Sequence, residues 1–184
     1  MTPDRHAVAS GILAGACYAM WGPVPAVAAF AAGTLLDVDH VIDYRWNGHR
    51  DFNPARFVRL CREYRLPRFY LFLHSFEWIV PFAIWALFLS GVPWLKAAAL
   101  GLLLHMALDL AGNGLQPLSY VLLWRMRRSF ESRRMVRELP REALDYWGTH
   151  AAYVRGRPDR RVSGARGRRV LDARRRKSHD GRRK

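Results

Sequence analysis

The chain has 184 residues, of which 51% are hydrophobic, and carries a formal net charge of +15 at pH 7. This length predicts one domain with appendages rather than two domains. The charge is unevenly placed, because residues 125–184 contain 21 Lys and Arg against 7 Asp and Glu, whereas residues 1–124 contain 9 against 8. Cys17 and Cys61 lack CxxC spacing, which argues against a disulfide framework or a zinc knuckle and fits a reducing environment.

Four apolar stretches predict the helices of the N-terminal part: residues 7–20, 24–36, 70–90 and 94–111. A transmembrane helix needs about 20 apolar residues, so the first two stretches are short for a span. Their Ala and Gly content predicts a tight helical hairpin or short helices packed against others. The third stretch is long enough to span. The fourth starts at Pro93 and stops at a Gly-Asn-Gly sequence.

Two further segments are mixed in character. Residues 115–124 are too short to assign, and either extend the bundle or lie in the interface. In residues 54–68 arginine recurs at intervals of three, opposite an apolar face. This pattern predicts a basic amphipathic helix on an anionic membrane surface. The alternative is an ordinary surface helix of a soluble domain.

The predicted fold class is an all-α integral membrane bundle of about four apolar helices. Residues 1–124 form the membrane-embedded domain, 125–154 a basic amphipathic interfacial segment that starts with a helix at about 129–147, and 155–184 a disordered Arg-rich tail. The positive-inside tendency places the Arg-bearing linker 45–68 and the tail in the cytoplasm, in a multi-pass protein of the bacterial inner membrane. A soluble all-α bundle with an unusually apolar core remains the alternative.

Ionisable side chains are costly inside a membrane, so those in the apolar part are candidates for function. They are His6, Asp37, Asp39, His40, His74, Glu77, His105 and Asp109. The predicted antiparallel helices would bring all of them to a similar depth near the cytoplasmic face. His49, His150 and His179 lie in polar or basic sequence and are predicted to be solvated.

The spacing of these residues predicts a metal site. His105 and Asp109 stand four positions apart and share one helix face, as do His74 and Glu77 three positions apart. Imidazole and carboxylate ligands suit zinc best and also manganese or iron, and the set is large enough for one or two ions. The predicted metal ligands are His6, Asp37, Asp39, His40, His74, His105 and Asp109.

Asp39 and Glu77 are the predicted catalytic residues, with Glu77 acting as a ligand, a partner of a histidine or a general base. Asp43 is predicted either to support the site or to pair with Arg45. Each element also has a simpler explanation. A lone histidine on an apolar face is often hydrogen-bonded core, HxxxD is a common helix pattern, and acids at a helix end can act as a cap.

On these residues the sequence resembles the YdjM-like family of membrane-bound, predicted metal-dependent hydrolases. The matching motifs are His6, then "LLDVDH" (35–40), "LHS" (73–75) and "HMALD" (105–109), and the similarity covers about residues 5–112. Leu36 stands where the family usually has Pro, and Leu73 where it has Thr. The resemblance implies a metal-dependent hydrolase.

The leading hypothesis is therefore a hydrolase that uses a divalent metal ion on a phosphoester or lipid-type substrate at the cytoplasmic face. The alternative is a non-catalytic membrane protein whose metal stabilises the bundle. Anionic membrane lipids are the predicted partners of the basic helix and tail. Nucleic acid is a less favoured partner, because the tail has charge but no aromatic residue after Tyr153 to stack on bases.

Overall fold

The computed structural model describes residues 3–51, 53–138, 140, 141 and 143–146. The predicted disordered tail and the end of the predicted interfacial segment lie outside these residues. Within them the chain is helical, and extended pairing is limited to two isolated β-bridges. The helices are α1 (Pro3–Trp21), α2 (Pro23–Leu35), α3 (Asp39–Trp46), α4 (Pro54–Arg62), α5 (Phe76–Ile84), α6 (Pro93–Gly112) and α7 (Leu122–Arg127).

Helices α1, α2 and α6 pack on one another, and α2 and α6 approach most closely. Gly22 allows the sharp turn between α1 and α2, because its φ of 85° lies in the left-handed region. A Cβ atom at Gly101 of α6 would lie 2.4 Å from the carbonyl oxygen of Ala29 in α2. Only glycine therefore permits this approach of the two backbones, as in helix pairs rich in small residues.

The third apolar stretch is helical over a shorter range than predicted. Helix α5 begins at Phe76 and continues through a π-helical turn, Trp85–Leu89, so residues 70–75 are irregular and His74 precedes the helix. The backbone N–H groups of Tyr70 and Leu71 donate to Asp43 Oδ1 at 3.0 and 3.3 Å. Leu71 has a φ of 46°, in the left-handed region, which interrupts the helix, and the bonds to Asp43 hold the turn that forms instead.

The basic amphipathic helix is also shorter than predicted. Helix α4 ends at Arg62, and Tyr64 has a φ of 52°, which breaks the predicted continuation to residue 68. Beyond it, residues 66–69 pair with the turn at 130–132, through Phe69 N to Phe130 O at 2.9 Å and Ser132 N to Pro67 O at 3.0 Å.

The helix predicted at about 129–147 is wrong over the part described up to residue 138. There the chain forms turns and a short 3₁₀ helix, Ser132–Arg134. Met135 and Val136 are buried in the same hydrophobic cluster as Tyr44. This basic segment therefore contributes to the core next to α3.

Residues 115–124, which the sequence left unassigned, extend the bundle. Leu115 and Tyr120 are buried in the hydrophobic cluster that also contains Tyr44. Between them the chain forms a short 3₁₀ helix, Pro117–Tyr120. Arg137 N donates to Gly114 O at 2.8 Å and Gln116 N donates to Met135 O at 2.8 Å. These bonds fix the segment against the turns that follow α7.

Two helical stretches in the described part of the chain are long and apolar enough to cross a membrane, Pro23–Trp46 and Pro93–Gly112. The predicted all-helical fold is confirmed for the described residues. About four membrane spans were predicted, and two stretches of the described chain are long and apolar enough to form one. The apolar part of α5 and its π turn is shorter, at Phe76–Leu89. Large apolar side chains face outward, including Ile12 at 74% and Phe88 at 78% exposure.

Candidate metal centre

Histidines and aspartates from five parts of the chain meet at one place in the interior. They come from the start of α1, the 3₁₀ turn after α2 (Leu36–Val38), α3, the turn before α5 and the last turns of α6. Most are fully buried, with His74 1% and His105 0% exposed. The residues brought together are His6, Asp37, Asp39, His40, His74, His105 and Asp109.

Two imidazole rings face each other at the centre of this cluster. His74 Nε2 lies 3.1 Å from His105 Nε2. His105 Nδ1 lies 2.9 Å from the Gly33 carbonyl oxygen, and because a carbonyl only accepts, Nδ1 carries the hydrogen. His74 Nδ1 donates in the same way to Asp39 Oδ2 at 3.3 Å. Both Nε2 lone pairs therefore point at each other, an arrangement that requires a shared proton or a cation between them.

The charge around His74 favours a cation at this point. Burial alone would lower the pKa of His74, but the neighbouring carboxylates of Asp37, Asp39 and Asp109 raise it to about 9. The environment of the imidazole thus favours positive charge strongly. A divalent ion bound by Nε2 satisfies the same electrostatic demand as a proton.

Two carboxylates complete the surroundings of the facing nitrogens. Asp37 Oδ1 lies 3.7 Å from His74 Nε2 and 3.5 Å from His105 Nε2. Asp109 Oδ2 lies 3.6 Å from each of the same two nitrogens. Tetrahedral zinc ligands at their usual bond lengths stand about 3.3 Å apart. The separations within the Asp37, His74 and His105 group therefore fit ligands of a small divalent ion.

A second group of ligand atoms overlaps the first at His105. It consists of His6, His105 and Asp109, and each group has its ligand atoms within 4.8 Å of one another. His6 Nε2 lies 3.0 Å from Asp109 Oδ1, and its ring stacks on that of His105 with centroids 3.9 Å apart. Buried His and Asp groups that could hold a metal ion are thus present, and the two groups provide for one ion or for two neighbouring ions.

Asp39 belongs to neither group of ligand atoms and contacts the Nδ1 atom of His74, on the far side of the ring from Nε2. Its Oδ2 atom accepts from the backbone N–H of Leu73 at 2.7 Å and of His74 at 3.3 Å, as well as from the His74 ring. A carboxylate that holds the far nitrogen of a metal-bound histidine fixes its tautomer and orientation. These contacts make Asp39 the residue that orients His74, and its predicted roles as a ligand and a catalytic residue stay predictions.

Replacing Asp39 with asparagine is expected to weaken metal binding about 10–100-fold, the usual effect of losing such an orienting carboxylate. The amide keeps an acceptor for the backbone but loses the charge beside His74. Metal affinity is measured by competition with a chelator of known affinity. Asp51→Asn is the matched control, because Asp51 is a half-exposed carboxylate paired with Arg56. Equal affinities for both variants would contradict the role of Asp39.

Glu77 belongs to neither group of ligand atoms. Its Oε1 atom accepts from the backbone N–H of Leu123 at 2.9 Å. A carboxylate at the first turn of a helix satisfies free N–H groups there, so Glu77 caps α7. The contacts that the structure gives Glu77 are therefore structural and do not include the cluster of histidines and aspartates, so its predicted catalytic role stays a prediction.

Arg125, which is not among the predicted site residues, supports the site. The side chain is fully buried in α7. Its guanidinium donates to the carbonyl oxygens of His74 at 3.1 Å and Ser119 at 3.0 Å, and to Ser75 Oγ. Burial lowers the pKa of Arg125 to about 10, so it keeps its charge at neutral pH. No signal in an Arg-rich segment distinguishes this arginine from its solvated neighbours.

Asp43 also holds the turn that presents His74. It accepts from the backbone of Tyr70 and Leu71, while Arg45 donates to the carbonyl oxygen of Arg50. Of the two predicted roles, support of the site is therefore the one that its contacts provide.

The cluster opens on one side into a cleft of about 350 Å³, which Asp37 and His40 line. Their side chains are each 23% exposed, and His40 Nε2 lies 3.6 Å from Asp37 Oδ1. Structural zinc sites are closed by protein ligands, whereas catalytic sites keep a position open to water or substrate. The geometry thus combines a buried set of ligands with one accessible side.

His49 is the further histidine among the described residues, and it lies outside this cluster. His49 stacks on Tyr44 with centroids 4.5 Å apart. His150 and His179 lie outside the described residues, so their predicted solvation stays a prediction.

Comparison of the sequence with protein-family models finds no match, and comparison with curated proteins and with solved structures finds none either. A function for this chain must therefore be argued from the contacts within the site. The resemblance to the YdjM-like family depends on four short motifs and stays a prediction.

Proposed function

We propose that this chain is a membrane-bound, metal-dependent hydrolase that cleaves a phosphoester or lipid-type substrate at the cytoplasmic face of the inner membrane. The observation that carries the proposal is the pair of facing imidazoles. Their Nε2 atoms lie 3.1 Å apart with both Nδ1 atoms tied to acceptors. The resemblance to the YdjM-like hydrolases agrees with this reading.

In this proposal the residues of the cluster have different roles. His74, His105, Asp37 and Asp109 hold the ion, with zinc preferred for its N and O ligands. His6 fixes Asp109 or binds a second ion. A bound divalent ion supplies a Lewis acid that makes water a nucleophile near neutral pH. His40, which lines the cleft beside Asp37, is placed to accept a proton from water at Nε2.

Two observations support location in a membrane. The stretches Pro23–Trp46 and Pro93–Gly112 are long and apolar enough to span one. Large apolar side chains also cover the outside of α1 and the end of α5. The proposed orientation keeps α4 and the basic tail in the cytoplasm, where anionic lipids attract arginine.

The test is elemental analysis of the detergent-purified full chain together with turnover. We expect about one or two divalent ions per chain, zinc first, and hydrolysis of bis-p-nitrophenyl phosphate or a short-chain phospholipid. Dialysis against a chelator should abolish turnover, and added zinc should restore it. Protein purified without stoichiometric metal, and unable to bind it afterwards, would refute the proposal.

A second candidate is a membrane protein in which the metal has a structural role only. The connection of α1, α3, α6 and the turn before α5 through one buried cluster favours it, because a metal at such a junction stabilises the fold. Tight retention of metal, a marked fall in stability on chelation and no turnover of any ester would establish this alternative.

A further inference from the structure

Most side chains that line the cleft beside the cluster of histidines and aspartates are not candidate metal ligands. Its floor contains Asp37 and His40, which belong to the cluster. The remaining lining comes from the start of α1, from α4 and from the segments after α4 and α6. Any molecule that reaches the cluster through this opening must contact these other side chains.

Two guanidinium groups line the cleft, those of Arg5 in α1 and Arg62 in α4. Both arginines are exposed. Among the described residues neither has an ion-pair partner. Two arginines from different helices that line one cavity without an ion-pair partner suit a phosphate group, because guanidinium binds phosphate oxygens with paired charge-assisted hydrogen bonds.

Much of the remaining lining of the cleft is apolar and is called the apolar wall below. Phe57 and Val58 of α4 line it together with Phe69, Leu71 and Leu115. Phe69 and Leu71 are both only 2% exposed, so this wall continues into the protein core, whereas Val58 is 41% exposed. Contact with apolar side chains does not stabilise a small, fully hydrated anion, whereas it does stabilise an acyl or alkyl chain by removing apolar surface from water.

We propose that the cleft binds an amphiphilic phosphoester, with its phosphate at Arg5 and Arg62 and its apolar chain along the wall formed by Phe57, Val58 and Leu115. This places a lipid phosphate of the phosphatidate type at the entrance to the metal cluster. The inference rests on the proposed function, since it names the substrate class of that same site. Helix α4 carries both kinds of contact, because Val58 and Arg62 stand four positions apart and share one face of the helix.

The test is isothermal titration calorimetry of the metal-containing full chain in phosphatidylcholine nanodiscs. The probe is the phosphonate analogue of dihexanoyl phosphatidate, which a hydrolase cannot cleave at the replaced oxygen. We expect Arg5→Gln and Arg62→Gln each to weaken its binding about tenfold, the effect of one charge-assisted contact. Val58→Ser should weaken it by about fivefold through lost apolar contact.

Arg59→Gln is the matched control, because Arg59 lies on α4 and is exposed but does not line the cleft. It should leave the affinity unchanged. Inorganic phosphate, titrated in parallel, should bind more weakly than the lipid and should not respond to Val58→Ser. Metal content is measured for each variant, so that a change in the cluster is distinguished from a change in the cleft.

Unchanged lipid affinity in the Arg5→Gln, Arg62→Gln double variant would overturn the inference. Inorganic phosphate that binds as tightly as the lipid would overturn it too, since the ligand would then be a water-soluble phosphate. These results leave the proposed hydrolase intact if the wild type contains metal and turns over esters. Conversely, arginine-dependent lipid binding by a protein without metal would support the cleft assignment and contradict the proposed function.

Discussion

Replacing His105 with alanine is expected to remove the bound metal and to abolish hydrolysis. His105 belongs to both groups of ligand atoms, and its Nε2 atom lies near His74 Nε2, Asp37 Oδ1 and Asp109 Oδ2. Its loss should lower metal affinity by more than about a hundredfold, the upper end of the cost of losing an orienting partner alone. Elemental analysis and the turnover of a phosphodiester measure the two effects.

The control for this variant is His49→Phe, which keeps the stacking on Tyr44 and removes an imidazole outside the cluster. It should retain metal and turnover. Because an alanine in a fully buried position can also unfold the chain, His105→Gln, whose larger polar side chain leaves less empty space, is tested beside it. Circular dichroism confirms folding. A folded His105→Gln protein with the full metal content would contradict the assignment of the centre.

Replacing Gly101 with alanine is expected to lower the free energy of unfolding by about 1–3 kcal/mol, the usual cost of overpacking a tight interior. The added Cβ would lie 2.4 Å from the Ala29 carbonyl oxygen and 3.1 Å from Gly33 N. These are backbone atoms, so the two helices themselves must separate. The shift also moves the Gly33 carbonyl that holds His105, and metal affinity should fall together with stability. Denaturant unfolding in one detergent measures the first effect.

Gly11→Ala in α1 provides the comparison, because a Cβ at that position meets no atom within 4 Å. Alanine is the better helix former by about 1 kcal/mol, so this variant should be as stable as the wild type or more stable. If both variants have the same stability, close packing of α2 on α6 does not determine the geometry of the site.

The positions of α2 and α6 were predictable from local sequence. Apolar composition, Pro23 and Pro93 at the helix starts and Gly112 at a helix end determine α2 and α6 within a few residues. The pairing of His105 and Asp109 on one face of α6 follows from their spacing alone. These features depend on neighbours within one or two helical turns, which is why periodicity reveals them.

The environment of His74 was not predictable in this way. Its orientation depends on Asp39, 35 residues earlier, and on Arg125, 51 residues later. The apolar stretch around it has helical composition, yet carboxylates of α3 take its backbone N–H groups and leave it as a turn. Glu77 carries a carboxylate of the kind that binds metal ions, but that carboxylate accepts a hydrogen bond from the start of α7.

The sequence by itself determined that this protein is helical, largely apolar up to residue 124 and equipped with histidines and aspartates at positions that suit a metal. Only the tertiary structure decided which of these side chains face one another and which hold a neighbouring histidine in its orientation. It also showed that two arginines and an apolar wall surround the opening. The physical reason is that composition and periodicity report the burial of each helix face, whereas a site depends on hydrogen bonds and charges between segments far apart in the chain.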